Sequence, residues 1–368
     1  MKVIISGGGT AGHINPGIAI AKYIRSKNPG CEILFIGTQK GLETRLVPRE
    51  NFELKLIRVR GFKRKLSGDT FIAVKELFQG LHEAKSIVRE FKPDIVIGTG
   101  GYVCGPVLFN AARMKIPTLI HEQNAFPGIT NKILARFVDK VAISFKESEK
   151  FFKHSKKVVF TGNPIRSEML NADRKAARNK LGIESGKPLV VIFAGSRGAE
   201  TINHTVSEML RLHSDEDKYH ILFATGEAQH EKIMKKLGSI KSKYIKVVPY
   251  IYDMADVLAA SDLVIGRAGA ITISELTALG VPSVLIPSPY VTANHQEYNA
   301  RALEKQGAGI VILEKDLKHN VLYEQINELL GDKAKLKEMS DNARKMGITN
   351  ASKQIYALID ELLKSKTK

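Results

Sequence analysis

The chain has 368 residues, enough for two domains with separate cores, and its 43% hydrophobic and 26% charged residues are an ordinary globular balance. No apolar run approaches the ~20 residues that span a bilayer, no signal-peptide pattern precedes the first strand, and the distant Cys31 and Cys104 suggest neither a disulfide framework nor a zinc site. The formal net charge of +18 suits phosphorylated substrates or an anionic membrane surface; with no nucleic-acid motif beside it, the expectation is a cytoplasmic protein with no nucleic-acid partner.

The first strand, residues 2–6, runs into Gly7-Gly8-Gly9-Thr10-Ala11-Gly12-His13. Gly7, Gly9 and Gly12 form a G-x-G-x-x-G between a strand and a helix, a pattern that lets backbone approach a phosphate at a helix start. A dinucleotide fold would close its second strand with an acid for the ribose hydroxyls. Here the strand at 32–37 ends in Gly37-Thr38, with Glu32 at the opposite end, so no cofactor is expected. His13 adds a titratable base that a plain dinucleotide turn does not need.

Further strands are expected near 53–59, 94–98, 117–121, 138–143 and 157–161, with helices between most of them. After the third, Arg58 to Leu66 interleaves cations with apolar residues, a pattern suited to an anionic bilayer surface. His121-Glu122-Gln123-Asn124-Ala125-Phe126-Pro127-Gly128 follows a strand end with four polar residues that folding rarely needs, and Thr99-Gly100-Gly101-Tyr102, after the preceding strand, adds another glycine-rich turn on the same rim. Gly162-Asn163-Pro164 closes this first series.

A second series has strands near 188–194, 220–225, 245–249, 262–266, 282–287 and 309–313. Its first turn, Ala194 to Ala199, contains Ser196, a donor suited to an oxyanion. Its turn Gly266 to Glu275 opens a helix at Gly269-Ala270, whose bare amides suit a diphosphate. Glu275 stands one turn in, where a carboxylate accepts two hydrogen bonds from a ribose cis-diol. Gln296 and Asn299 start a later helix with neutral amides that suit sugar hydroxyls. The acidic triplet Asp215-Glu216-Asp217 precedes its strand, on the wrong edge for a donor metal, and no histidine has metal-binding spacing, so no metal is expected. The tail from about 333 reads as purely helical and lysine-rich. Strand–helix alternation throughout predicts an α/β fold of two doubly wound parallel sheets facing across a cleft, with function on the turns after the strands.

Taken together, the segments at 7–13, 121–128, 161–166, 195–199, 267–275 and 296–300 resemble the MurG family of peptidoglycan GlcNAc transferases, in order and over residues 1 to about 315. The resemblance implies two Rossmann-like domains of the GT-B type: 1–163 facing acceptor and membrane, 164–343 binding UDP-GlcNAc, and 344–368 crossing back to the first domain. It implies inverting transfer of GlcNAc to the MurNAc 4-hydroxyl of undecaprenyl-linked lipid I, giving lipid II, by a peripheral enzyme on the cytoplasmic side of the membrane. His13 would be the base. Glu275 would hold the ribose and the Ile251 backbone would read uracil. Ser196 and the amides of Ala270, Ile271 and Thr272 would meet the diphosphate, with Ile273 and Ser274 in the same turn. Arg166 would close over the nucleotide, Gln296 and Asn124 would contact the sugar, and Thr10, Ala11 and Gly12 would line the cleft. The opening turn would then serve the lipid I diphosphate. Ala11 stands where the family pattern often has Gly, a change that makes positive φ less accessible there. A UDP-GlcNAc 2-epimerase and a lipid glucosyltransferase of the same fold are the rival readings.

Overall fold

The computed structural model describes residues 1–61, 68–153, 155–195, 198–213, 217–238 and 242–366. Its chain forms two compact units, Met1–Ile165 with Asn350–Lys368, and Arg166–Thr349.

The first unit carries seven strands: β1 (Lys2–Ser6), β2 (Glu32–Gly37), β3 (Glu53–Leu56), β4 (Ile95–Gly98), β5 (Thr118–Glu122), β6 (Lys140–Ile143) and β7 (Val158–Phe160). They pair in parallel in the order β3-β2-β1-β4-β5-β6-β7. Their near-continuous apolar runs follow from burial on both faces. Ile4, Leu34, Val96 and Ile120 pack on one side, while Val3, Ile5, Phe35, Ile97 and Leu119 pack on the other. β3 ends before the expected residue 59: Ile57 still donates to Gly37, but the Arg58 amide turns to the Glu83 carboxylate at 2.7 Å.

The last helix, Ala351–Lys366, belongs to this unit. Ile355, Leu358, Ile359 and Leu362 recur at helical spacing and join the side of the core formed by Val3 and Ile5. Asn28 donates to the Tyr356 hydroxyl at 2.6 Å, and Lys140 meets Glu361 at 2.9 Å. The preceding helix, Lys333–Met346, stays with the second unit: Ser340 donates to the Gly280 carbonyl, and Arg344 covers Gly280 so closely that a Cβ there would lie 2.3 Å from its Cγ.

The second unit repeats the scheme with β8 (Leu189–Phe193), β9 (His220–Ala224), β10 (Ile245–Val248), β11 (Leu263–Gly266), β12 (Ser283–Leu285) and β13 (Gly309–Val311), in the order β10-β9-β8-β11-β12-β13. β12 stops short of 287 because Ile286 makes the last ladder bond, to Gly266, and Pro287 has no N–H to continue it. In both sheets the strand order reverses once, between β1 and β4 and between β8 and β11. Open α/β sheets bind ligands outside the carboxyl ends at such a reversal. The turns after β1, β4, β8 and β11 are therefore the places to look.

Candidate active site

In the first unit, β1 leads into the glycine turn and the helix Ala11–Lys27, with Thr10 extended at the helix start and no side-chain cap. Gly9 takes the left-handed conformation at φ +85, whereas Ala11 is already helical, so its methyl group imposes no strain. Gly8 donates to the Gly100 carbonyl at 3.3 Å, which joins this turn to the one after β4. The turn is also filled from within. Glu43 is fully buried and accepts from the Thr38 amide and hydroxyl, both at 2.8 Å, and from the Gly9 amide at 3.0 Å. A Cβ on Gly8, Gly37 or Gly41 would collide with it. An internal carboxylate thus takes the amide that a dinucleotide fold offers to phosphate, and the Gly9 amide is committed rather than free for a lipid diphosphate. Glu43 escaped the sequence reading because nothing near it in sequence marks it; only the fold brings it under Gly9.

His13 lies in the first turn of the helix, half-buried, with its backbone carbonyl accepting from the Thr99 hydroxyl at 2.7 Å. Its ring packs on Gly100, where a Cβ would sit 2.6 Å from Nδ1 and where φ is +105. The turn after β5 meets it: His13 Nδ1 is 3.1 Å from Gln123 Oε1. Of the four polar residues at 121–124, three point inward. His121 is completely buried and its pKa falls to about 4, because burial penalises the imidazolium more than the Gly162 carbonyl supports it. Glu122 organises its own loop, accepting from the Asn124 amide, the Gly128 amide and the Asn131 side chain at 2.8–3.0 Å. Asn124 alone is partly exposed. Cys104 is buried between the Ser6 and Gly100 carbonyls, and burial pushes its thiol up to about 11, which makes it a packing group rather than a nucleophile.

In the second unit, the turn after β8 bends at Gly195 (φ +84) and Gly198 (φ +71), and a Cβ on Gly198 would lie 2.1 Å from the Thr225 carbonyl. Ser196 lies outside the described residues, as do Asp215 and Glu216 and the 62–66 part of the basic–apolar segment.

The turn after β11 enters the helix Ala270–Leu279 through an extended Gly269 with no side-chain cap, so the amides of Ile271 and Thr272 lie in a first turn that the helix itself cannot satisfy. Ile273 is buried behind them, and the Ser274 hydroxyl returns to the Ala270 carbonyl. Glu275 is 9% exposed, and burial raises its pKa to about 7, against the pull of Arg166 at 3.9 Å. Among the described residues this carboxylate is short of partners, and it is placed beside a helix start with no side-chain cap. Arg267 is consumed structurally, by Glu314 at 2.5 Å and the Ile286 carbonyl. Gln296 uses its oxygen to accept from the Ser288 amide at 2.9 Å, and buried Asn299 ties the same helix to the Ala268 carbonyl. A groove of about 1050 Å³ runs past Ala194, Arg267, Ser288 and Gln296. Glu275 and Ile251 do not line it; Ile251 is buried in the loop after β10, between Tyr250 and a largely exposed Tyr252. The structure therefore groups His13, Gly12, Ala11 and Thr10 with Gln123 in one unit, and Arg166, Glu275 and the 270–274 turn in the other.

Residues 3–143 match the model of the glycosyltransferase family 28 N-terminal domain, and residues 189–355 match that of its C-terminal domain. The chain is 69% identical over 366 residues to the UDP-N-acetylglucosamine--N-acetylmuramyl-(pentapeptide) pyrophosphoryl-undecaprenol N-acetylglucosamine transferase of Acetivibrio thermocellus, covering 100% of this chain and 99% of that one. Among solved structures it is similar to MurG of Acinetobacter baumannii, with a TM-score of 0.78 at 30% identity over 98% of this chain and 99% of the other. A putative UDP-N-acetylglucosamine 2-epimerase from Listeria monocytogenes superposes with a TM-score of 0.69 at 15% identity, over 97% of this chain and 95% of the other. That likeness is one of fold alone.

Proposed function

The chain belongs to glycosyltransferase family 28 and, within it, to the undecaprenol-pyrophosphoryl-MurNAc GlcNAc transferases, and from that premise we propose how its two units divide the conversion of lipid I to lipid II. The observation that carries the reading is the uncapped helix start at Gly269 with the buried, partner-poor Glu275 one turn inside it. A diphosphate on the 270–272 amides would leave the attached ribose within reach of Glu275, while Arg166 adds positive charge beside both. The Ile251 backbone reads uracil, Ser196 supplements the diphosphate contacts, and Gln296 and Asn124 hold the GlcNAc hydroxyls.

The first unit brings the acceptor, along Thr10, Ala11 and Gly12. The MurNAc O4 attacks C1 of GlcNAc from the face opposite UDP, the C1–O bond to UDP breaks, and the UDP oxygen keeps the electron pair. The O4 proton passes to His13, and the configuration inverts in one step. Charge developing on UDP is met by the helix-start amides and Arg166. No covalent enzyme intermediate is formed.

Attachment to an anionic membrane surface is part of the same proposal. No described helix is long and apolar enough to cross a membrane. On the first unit, however, Ile72 and Phe78 of the helix Gly68–Phe91, and Ile129 and Ile133 of the helix Ile129–Leu134, are 47–67% exposed. Lys75 and Arg136 accompany them on the surface. Phe78→Glu should lower co-sedimentation with anionic vesicles while leaving UDP-GlcNAc affinity intact; undiminished sedimentation would remove this face from the proposal.

The reaction is tested by incubating the protein with UDP-GlcNAc, with and without lipid I, and identifying products. UDP release that depends on lipid I supports the transfer. UDP-ManNAc formed without acceptor would overturn it in favour of an epimerase.

A further inference from the structure

Behind His13 a chain of hydrogen bonds runs inward and leaves little freedom in its proton positions. Gln123 is 1% exposed. Its Nε2 lies 2.8 Å from the Thr99 carbonyl, 3.1 Å from the His121 carbonyl and 2.9 Å from His121 Nδ1. Turning the amide over would bring its oxygen against two carbonyl oxygens, so the nitrogen faces that cluster and Oε1 faces His13. His121 Nε2 lies 3.0 Å from the Gly162 carbonyl, which only accepts, so this nitrogen carries the proton and His121 Nδ1 is left as an acceptor for Gln123. Ser144, 3.1 Å from the same Nε2, has two further acceptors at 2.8 Å, the Glu122 carbonyl and Asn163 Oδ1. At the outer end Gln123 Oε1 has no proton to give, so the bond to His13 at 3.1 Å exists only when His13 Nδ1 is protonated.

We propose that Gln123 is the positioning residue of the reaction: its buried amide oxygen holds His13 as the Nδ1–H tautomer, with Nε2 turned outward and unprotonated, ready to take the acceptor's proton. The proposal rests on the reading of His13 as the base. It assigns His121 a supporting part, a neutral imidazole that fixes the Gln123 amide and brings no charge to the site. Orientation by a neutral amide differs from orientation by a carboxylate, because it selects the tautomer while stabilising the imidazolium that forms in the transition state less than an anion would. Gly100 completes the arrangement, since only a glycine leaves room for the ring at that distance.

The test has a part that needs no activity. In the wild-type protein labelled with ¹⁵N-histidine, long-range ¹H–¹⁵N spectra of the neutral His13 ring should show Nδ1 protonated and Nε2 bare; an Nε2–H signal for the neutral ring would overturn the proposal. In Gln123→Met, which keeps the volume and removes the oxygen, the His13 tautomers should mix. Its kcat should fall roughly tenfold to a hundredfold, with UDP-GlcNAc affinity unchanged. Combined with His13→Ala, the Gln123→Met change should cost nothing more; an independent, multiplicative loss would mean that Gln123 does not act through His13. Should His13→Ala itself turn over normally, the base assignment fails, whereas the tautomer spectrum still decides what Gln123 does to the ring. If Gln123→Met does not fold, the wild-type spectrum alone decides.

Discussion

The ribose contact proposed for Glu275 makes donor binding sensitive to pH, in the direction that the burial of this carboxyl sets. Burial raises its pKa from 4.5 to about 7 in the donor-free protein, a penalty of roughly 3 kcal/mol on the ionised form relative to water. A ribose cis-diol donates two hydrogen bonds and therefore selects the carboxylate. Binding must then expel the proton from whatever fraction of Glu275 carries it. The sign is that affinity is full above pH 7 and is lost as pH falls through it. At one unit below the pKa the dissociation constant is about tenfold weaker than its limit, and each further unit costs another tenfold. Arg166 pulls the other way at 3.9 Å, so Arg166→Ala should move the midpoint upward, with the extra weakening greatest below pH 7 and fading above the new midpoint. Calorimetric titration with UDP-GlcNAc from pH 5.5 to 8.5 measures this directly, because its doubly esterified diphosphate does not titrate in that range. Glu275→Gln should bind more weakly at pH 8 and should lose the pH dependence. An affinity that stays flat between pH 6 and 8 in the wild type, with the fold intact, would refute the ribose role of Glu275. So would an unchanged slope in Glu275→Gln.

Other consequences follow from the packing. Glu43→Gln keeps the volume but cannot accept from Gly9 and Thr38 together, and should cost about 1–3 kcal/mol in denaturant unfolding, with faster hydrogen exchange at residues 7–10. Gly100→Ala forces an alanine into a backbone at φ +105 and drives a methyl into the His13 ring; turnover should collapse while calorimetric UDP-GlcNAc affinity survives. Ile359→Ala removes a fully buried side chain of the last helix and should cost about 2–5 kcal/mol, read as a lower unfolding midpoint of the first unit.

The fold was largely legible because parallel strands buried on both faces leave short apolar runs that are hard to mistake, and all thirteen expected strands are present. What local pattern missed were decisions made at a distance. β3 ends early because a carboxylate twenty-five residues on takes its amide; residues 344–349, which the family resemblance assigned to the segment crossing back, lie in the second unit, where Arg344 covers Gly280. The polar run at 121–124 stood out as a site, but its division of labour did not. Strand alternation alone cannot say that Glu122 serves its own loop while Gln123, one residue on, serves His13 across 110 positions. Ala11, which looked like a departure from a glycine pattern, is harmless because the left-handed position is Gly9.

The two glycine turns also show why a shared frame does not mean a shared ligand. Each stands at the strand-order reversal of its sheet and each opens a helix without a side-chain cap. In the first, the chain supplies its own acceptor: Glu43 reaches in from the helix Glu43–Arg49 and takes the Gly9 amide. A second acceptor at that amide would meet a donor already committed to Glu43 as well as a filled space, so phosphate is opposed there twice over. In the second, the carboxylate is Glu275, set one turn inside the helix and facing Arg166, so it does not fill the turn at the helix start, where the diphosphate is proposed to sit. Moving one carboxylate from the turn to the helix separates the rigid frame of the proposed base from the proposed nucleotide site. On that argument the acceptor's diphosphate should be sought at the start of the helix Ala11–Lys27, along Ala11 and Gly12, rather than within the glycine turn itself.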